Sequence, residues 1–400
     1  MSAAQPHTDL DLAALCRRVL EDSWALGERR GVPYAYTRPS PTRYPWQWYW
    51  DSCFAAIVWR RFDRERSRAE LETLMRAMRS DGFVGHVVFW DSPISLRRRA
   101  YYNVDSRSAE MTGTIQPPLL AWAWSLAVGD PAQEERIGAH HEWLVANRDL
   151  EGDGLLWLIQ PDESGLDSSP KFDPVWGRRS HAHWAFPALV ARNRRLRWDA
   201  RRVRDAGGPV VCEVMTNVLW GLARIARGEP SVTPALVKRL WDEGRGFFVD
   251  EAQPGAVRPA VSTWAALSPL ALPDLPEDLG RRMVEEHLLN PDRYWLRYPP
   301  ASVSAEEPSF EPGRGPGIKR RYWRGPTWVN AAWMLWLGLT RLGYDAEARH
   351  MADRLSEAIL REGLREYYDP NTGEVLGAHD FAWTSLILEM TDPAAAPASP

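Results

Sequence analysis

The residues of this chain best equipped for chemistry are carboxylates set among aromatics and glycines. Asp167 lies in QPDESGLDSSPKFDP (160–174), a loop ending in SSP that cannot be a helix interior. Glu366 lies in GLREYYDPNTGE (363–374), a turn-rich stretch that follows a periodic helical segment. Asp51 opens an apolar run inside YPWQWYWDSCF (44–54). Two carboxylates carried by distant loops into an aromatic, uncharged cavity are the equipment of glycoside hydrolysis. One, held protonated by an apolar setting, gives a proton to the leaving oxygen; the other, ionised, handles water or the anomeric carbon. Aromatic rings cover the apolar faces of sugars while Gln, Asp and Arg bind hydroxyls. Plainer readings stand beside this one. Asp51 also suits the N-terminal end of a helix, and Asp162, Glu163 and Asp369 also read as solvated loop acids or turn formers. Trp46, Trp48 and Trp50 also read as core, although their spacing of two is not a helical stripe.

Other chemistries lack their signatures. There is no HExxH and no CxxC, and the nine histidines are scattered. His181 and His183, two apart, fall on different faces of a helix and are read as structural or substrate contacts, not metal ligands. GxGxxG, GxxxxGK[ST] and GxSxG are absent. Three cysteines (Cys16, Cys53, Cys212) are too few and too scattered for a disulfide framework or a zinc cluster. The net charge of −4 carries no basic stripe, which argues against nucleic acid as a partner. No apolar run approaches the ~20 residues of a membrane span, and MSAAQPHTDLDLAAL lacks the pattern of a signal peptide. A soluble, cytoplasmic protein acting on a small molecule is expected, with homo-oligomerisation left open. The 22 tryptophans, against 12 tyrosines and 10 phenylalanines, sit largely beside polar residues and read as the lining of a concave site.

The elements that must position these groups read as helices of two kinds. Leu12, Leu15, Cys16, Val19 and Leu20 draw one apolar stripe, as do Leu71, Leu74, Met75 and Met78, and Ala348, Met351, Ala352, Leu355 and Ile359. By contrast, Trp50–Trp59, Ile115–Leu126 and Trp328–Leu339 are apolar nearly all round and must be buried on every side. About twelve helical stretches alternate between the two kinds, which predicts an outer ring of helices around an inner one. Residues 1–392 are read as one domain of this type, with residues 1–8 loose and 393–400 a frayed tail. Long polar connections (29–47, 81–106, 151–180 and 291–326) are expected to gather at one mouth and wall a pocket.

At these same residues the chain resembles glycoside hydrolase family 63 and its bacterial relatives that hydrolyse mannosylglycerate or glucosylglycerate. The likeness is a series: YPWQWYWDSCF (44–54), TIQPP (114–118), DESGLDSSPKF (162–172), YPPASVS (298–304), RYWRGPTWVN (321–330), EYYDPNTGE (366–374) and GAHDFAWTS (377–385). It implies an all-α (α/α)6 barrel and an inverting, exo-acting α-glycosidase that needs no cofactor. It further implies Asp167 as general acid and Glu366 as general base. Trp46, Trp48, Trp50 and Asp51 match the sugar pocket at subsite −1, and Gln116, Trp323, Arg324 and Trp328 match other pocket positions. Tyr44, Trp90 and Tyr367 complete the expected substrate contacts. An inverting pair stands about 6.5–9.5 Å apart, with the acid's pKa raised and the base's ordinary. An acidic aglycone would need cations, for which Arg178, Arg179, Arg320, Arg321, Arg324, Lys171 and Lys319 are available. The family usually carries Ser where Ala382 stands, and its members are mostly longer. Other functions on such a barrel are trehalase-like or oligosaccharide hydrolysis, sugar epimerisation through a histidine pair, or sugar binding without catalysis.

Overall fold

A computed structural model describes residues 7–90, 96, 99, 103–104, 111–177, 185–313 and 322–391. Its helices sort by burial as their sequences require. Helix α1 (His7–Ser23) buries Leu12, Cys16, Val19 and Leu20. All eleven residues of α2 (Tyr49–Trp59) are buried, and α3 (Arg64–Ala77) turns Leu71, Leu74 and Met75 inward while its arginines face outward. Buried α4 (Leu120–Ala127) is followed by amphipathic α5 (Glu134–Arg148). The expected start of α4 at Ile115 is corrected to Leu120, because Pro117 and Pro118 forbid helix across them.

After α6 (Phe186–Arg195) and α7 (Ala200–Asp205) the alternation resumes. Helix α8 (Val214–Ala226) buries its first ten residues, and α9 (Thr233–Leu240) lies outside it. A 3-10 segment, Trp264–Ala271, is buried throughout and precedes outer α10 (Glu277–Met283). Buried α11 (Val329–Arg341) and amphipathic α12 (Asp345–Glu362) follow, before a buried 3-10 turn, Ala382–Leu386, runs into α13 (Ile387–Thr391). Around the inside, α2 packs on α4, α4 on α8, α8 on Trp264–Ala271, that segment on α11, α11 on Ala382–Thr391, and the last back on α2. Among the described residues this is a closed ring of six inner segments, each preceded by an outer one, and it is the (α/α)6 barrel. Two inner segments being 3-10 was not expected. Pro269 inside the first and the short SLILEM run of the second explain why neither reads as a long apolar helix.

Short strands pair within the connections of this all-α barrel. Strands β1 (Trp24–Arg29) and β2 (Val32–Thr37) form a hairpin; β3 (Gln47–Trp48) pairs with β4 (Val87–Val88). A three-stranded antiparallel sheet has β6 (Val210–Cys212) between β5 (Trp157–Leu158) and β9 (Glu251–Gln253). Strands β7 (Trp241–Asp242) and β8 (Phe247–Phe248), and β10 (Arg365–Tyr368) and β11 (Val375–His379), make two more pairs. These small sheets fix loops that would otherwise be too long to place a side chain. Closure of the ring is held by charge as well as packing: Arg60 and Arg61, at the end of α2, contact the buried Glu389 of α13 at 2.7 and 2.6 Å.

Candidate active site

The loops ahead of the inner segments enclose a cavity of about 330 Å³. Tyr44, Trp48, Trp50 and Asp51 line it from the chain entering α2, Gln116 from the chain entering α4, and Tyr322 from the chain entering α11. Asp167 and Ser168 line it from the loop after β5, and Phe381 and Trp383 from the start of the last inner segment. The wall is thus built at the N-terminal ends of buried helices.

The loop that carries Asp167 is tied down on both sides. Glu163, expected as a solvated loop acid, is instead fully buried and takes both guanidinium nitrogens of Arg148 at 2.6 and 2.8 Å. It also accepts the Ile115 and Ile159 N–H groups at 3.2 and 2.8 Å, so no lone pair is left without a donor nearby. Gly165 follows at φ +72°, where a Cβ would meet the Trp50 ring at 2.6 Å; glycine is required for the loop to lie on that indole. Beyond Asp167, the buried Lys171 is ion-paired with Glu213 and with Asp250. Asp162, the other acid read as solvated, lines the cavity, held by Gln160 Nε2 at 2.7 Å and Asn103 Nδ2 at 3.2 Å. Asp369 is a turn former, accepting the Asn371 and Thr372 N–H groups.

Glu366 lies in β10 and is wholly buried just behind the wall. Its Oε1 accepts the Tyr44 hydroxyl at 3.0 Å and its Oε2 the Ala378 N–H at 2.8 Å; Arg43 Nη1 stands 3.8 Å away. The Tyr322 hydroxyl also acts on this carboxyl, favouring its charged form. At Gly377, φ +74°, a Cβ would stand 2.6 Å from Oε2, so β11 can pass this close only with glycine there. The expectation of an ordinary pKa for Glu366 is corrected: burial pushes it up, and the Arg43 charge, the Ala378 N–H and the two tyrosine hydroxyls only partly offset this. Burial also drives Asp51 well above the usual carboxylate range, with Glu366 and Glu70 adding to the rise. The Tyr322 hydroxyl is raised by burial and then by Tyr44, Glu366 and Asp167, which places it within electrostatic reach of both carboxyls.

Several expected sugar contacts lie off the wall. Trp46 packs with Val87, Phe89 and Val104 in a small separate cluster. Trp90 donates its indole N–H to Gln47 Oε1 at 2.6 Å and stacks on Tyr34. Trp323, Trp328 and Tyr367 form a stack, with ring centroids 3.8 and 4.6 Å apart, that backs Tyr322 and Trp383. Arg324 spends its charge on Asp173, with Nη2 2.7 Å from both oxygens. As with Lys171, a carboxylate partner holds it away from the role of aglycone cation. Arg178, Arg179, Lys319, Arg320, Arg321, His181 and His183 lie outside the described residues.

The wall also includes Arg43, His86, Asn103, Asp162, Ser168, Tyr322, Phe381 and Trp383, which were not among the expected contacts. Tyr322, Asp162 and Trp383 sit inside the motifs quoted above and could have been found there. His86 and Asn103 carry no such signal. His86 reaches the wall because its neighbours Val87 and Val88 pair with Gln47 and Trp48, and its Nδ1 lies 2.7 Å from Thr114 Oγ1. Gln116 Oε1 accepts the Trp50 N–H at 3.0 Å, tying the TIQPP turn to the start of α2. Among the described residues, no three His, Cys, Asp or Glu side chains are grouped to hold a metal.

A helical ring closed on six inner segments, with carboxyls at an aromatic cavity over their N-terminal ends, is the architecture of the (α/α)6 glycoside hydrolases. The chain belongs to the mannosylglycerate hydrolase MGH1-like glycoside hydrolase family, whose model matches residues 44–384, and it is a glycoside hydrolase. It is 30% identical to the mannosylglycerate hydrolase of Rubrobacter radiotolerans over 94% of this chain and 96% of that one. It is 26% identical to the glucosylglycerate hydrolase of Mycolicibacterium hassiacum over 88% and 93%. The crystal structure of the family 63 mannosylglycerate hydrolase from Thermus thermophilus, in complex with Tris and D-glycerate, superposes with a TM-score of 0.78. That comparison has 28% identity and covers 95% of this chain and 99% of that one.

Proposed function

We propose that this enzyme removes a single glucose or mannose, with inversion, from a small α-glycoside whose aglycone is of the glycerate class. Asp167 protonates the glycosidic oxygen as the bond breaks, and Glu366 receives the proton of the water that attacks the opposite face of the sugar. The observation that carries this reading is the placing of the two carboxyls about one cavity: Asp167 on its wall, and Glu366 behind the wall residue Tyr44, bonded to its hydroxyl. The cavity volume, at the low end of small-molecule sites, supports release of one sugar over endo-cleavage of a polymer. Trp48, Trp50, Asp51 and Gln116 would hold the sugar. The names of the relatives support the aglycone class.

Incubation with glucosylglycerate, mannosylglycerate, trehalose and α-linked disaccharides, followed by chromatography of the free sugar, tests the reading. Glucose or mannose should appear from a glycosylglycerate first. Asp167→Asn and Glu366→Gln should each lower kcat by about 10²-fold or more with the unfolding midpoint unchanged. Near-normal turnover in either variant would remove that residue from the mechanism.

A further inference from the structure

We propose that Tyr44 carries the proton from the attacking water to Glu366, the two acting as a relay. This rests on the reading of Glu366 as the base. A base must meet its water, yet the Glu366 carboxyl is fully buried and is not part of the cavity wall. Its Oε2 accepts the Ala378 N–H at 2.8 Å, lies close to Gly377 and has the Arg43 Nη1 3.8 Å away. What stands between Oε1 and the cavity is a pair of phenols. Tyr44 and Tyr322 both line the wall; Tyr44 donates to Glu366 Oε1, and Tyr322 stands within electrostatic reach of both groups.

Tyr44 is built to be stationary. Its ring sits edge-on to Trp48 and to Phe381, at 5.6 and 5.9 Å, and the Arg43 guanidinium lies 5.5 Å over it. Its hydroxyl proton is committed to Glu366 Oε1 at 3.0 Å. A phenol that donates its one proton still has lone pairs to accept another. A water in the cavity can therefore give its proton to Tyr44 Oη while the Tyr44 proton passes to Glu366. The water oxygen bonds the anomeric carbon, the carbon–oxygen bond to the aglycone breaks, and Asp167 protonates the departing oxygen. Tyr44 ends as it began, and Glu366 holds the proton gained.

The test uses α-D-glucosyl and α-D-mannosyl fluoride, because fluoride departs without an acid and leaves only the base-side transfer in the rate. In mixtures of H2O and D2O, the relay predicts a curved dependence of kcat on deuterium fraction, from two protons in flight. Direct contact predicts a straight line. Tyr44→Phe should lower kcat on the fluoride by about 10²-fold or more with KM changed less than threefold. A straight line overturns the relay, as does a Tyr44→Phe enzyme within twofold of the parent. The inventory on the unaltered enzyme decides the matter even if the variant does not fold. A Glu366→Gln enzyme that still hydrolyses the fluoride overturns the reading of the base itself, and so does failure to cleave either fluoride.

Discussion

Glu366 sits where two opposing influences meet. Burial favours its neutral form; Arg43, the Ala378 N–H and the hydroxyls of Tyr44 and Tyr322 favour its charge, while the carboxyl of Asp51 lies within electrostatic reach. Burial wins, so Glu366, the proposed base, ionises at a pH above its ordinary value. A base must be ionised to act, and the acid limb of kcat/KM reports it in the free enzyme. That limb should therefore lie above pH 4.5, the ordinary Glu value. Arg43→Gln removes the largest influence lowering this pKa, so the limb should move to still higher pH. A pH–rate profile of the two enzymes checks this, and a limb that stays or moves to lower pH would contradict the assignment. At this scale the sequence was informative about residue type and weak about direction. Asp51, Trp50 and Gln116 reach the cavity as read. Trp323 and Trp328 do not, because a flat indole satisfies its burial as well by stacking on another indole as on a sugar.

Elements place these side chains through a few buried polar clamps. Glu70, on α3, accepts the Thr37 N–H and hydroxyl of β2, both at 2.6 Å, and the Ser52 hydroxyl of α2 at 2.5 Å. Burial raises its pKa to about 8 from 4.5 despite these donors. Because the folded state holds this proton more tightly than the unfolded chain, its contribution is greatest below pH 4.5. It is lost between pH 4.5 and about 8, at up to about 1.4 kcal/mol per pH unit. Glu70→Gln keeps an acceptor for Thr37 and turns an amide N–H to the Ser52 oxygen, but cannot ionise. Urea unfolding across that range should show a flatter pH dependence in the variant than in the parent. The Arg148–Glu163 pair is the second clamp, and it holds the loop of Asp167. Arg148→Met leaves a buried carboxylate unpaired and should destabilise the protein by about 3–5 kcal/mol in urea melts. These clamps were illegible in the sequence. Glu163 sits in a loop whose composition reads as solvated, and its partner is 15 residues away on another element.

At the scale of the whole molecule, periodicity carried most of the fold. Helices that must be wet on one face alternate with helices that must be dry, and α2, α4 and α11 turn inward as that pattern requires. What escaped it is short and local. Two-residue strands such as β3 and β4 have no periodicity to detect, the 3-10 segment Trp264–Ala271 is broken by Pro269, and Ala382–Leu386 is too brief to show a helical face. Yet these short pieces decide the site: β3 pairs with β4 to seat Trp48 beside His86, and Ala382–Leu386 brings in Trp383. The central claim, that such a ring sets Asp167 and Glu366 on opposite sides of one glycosidic bond, is tested most directly by stereochemistry. Proton NMR should follow the anomeric signals during the first minutes of hydrolysis of the preferred α-glycoside. Free β-sugar appearing first, and mutarotating later, is the predicted result; α-sugar appearing first would mean retention and would contradict it.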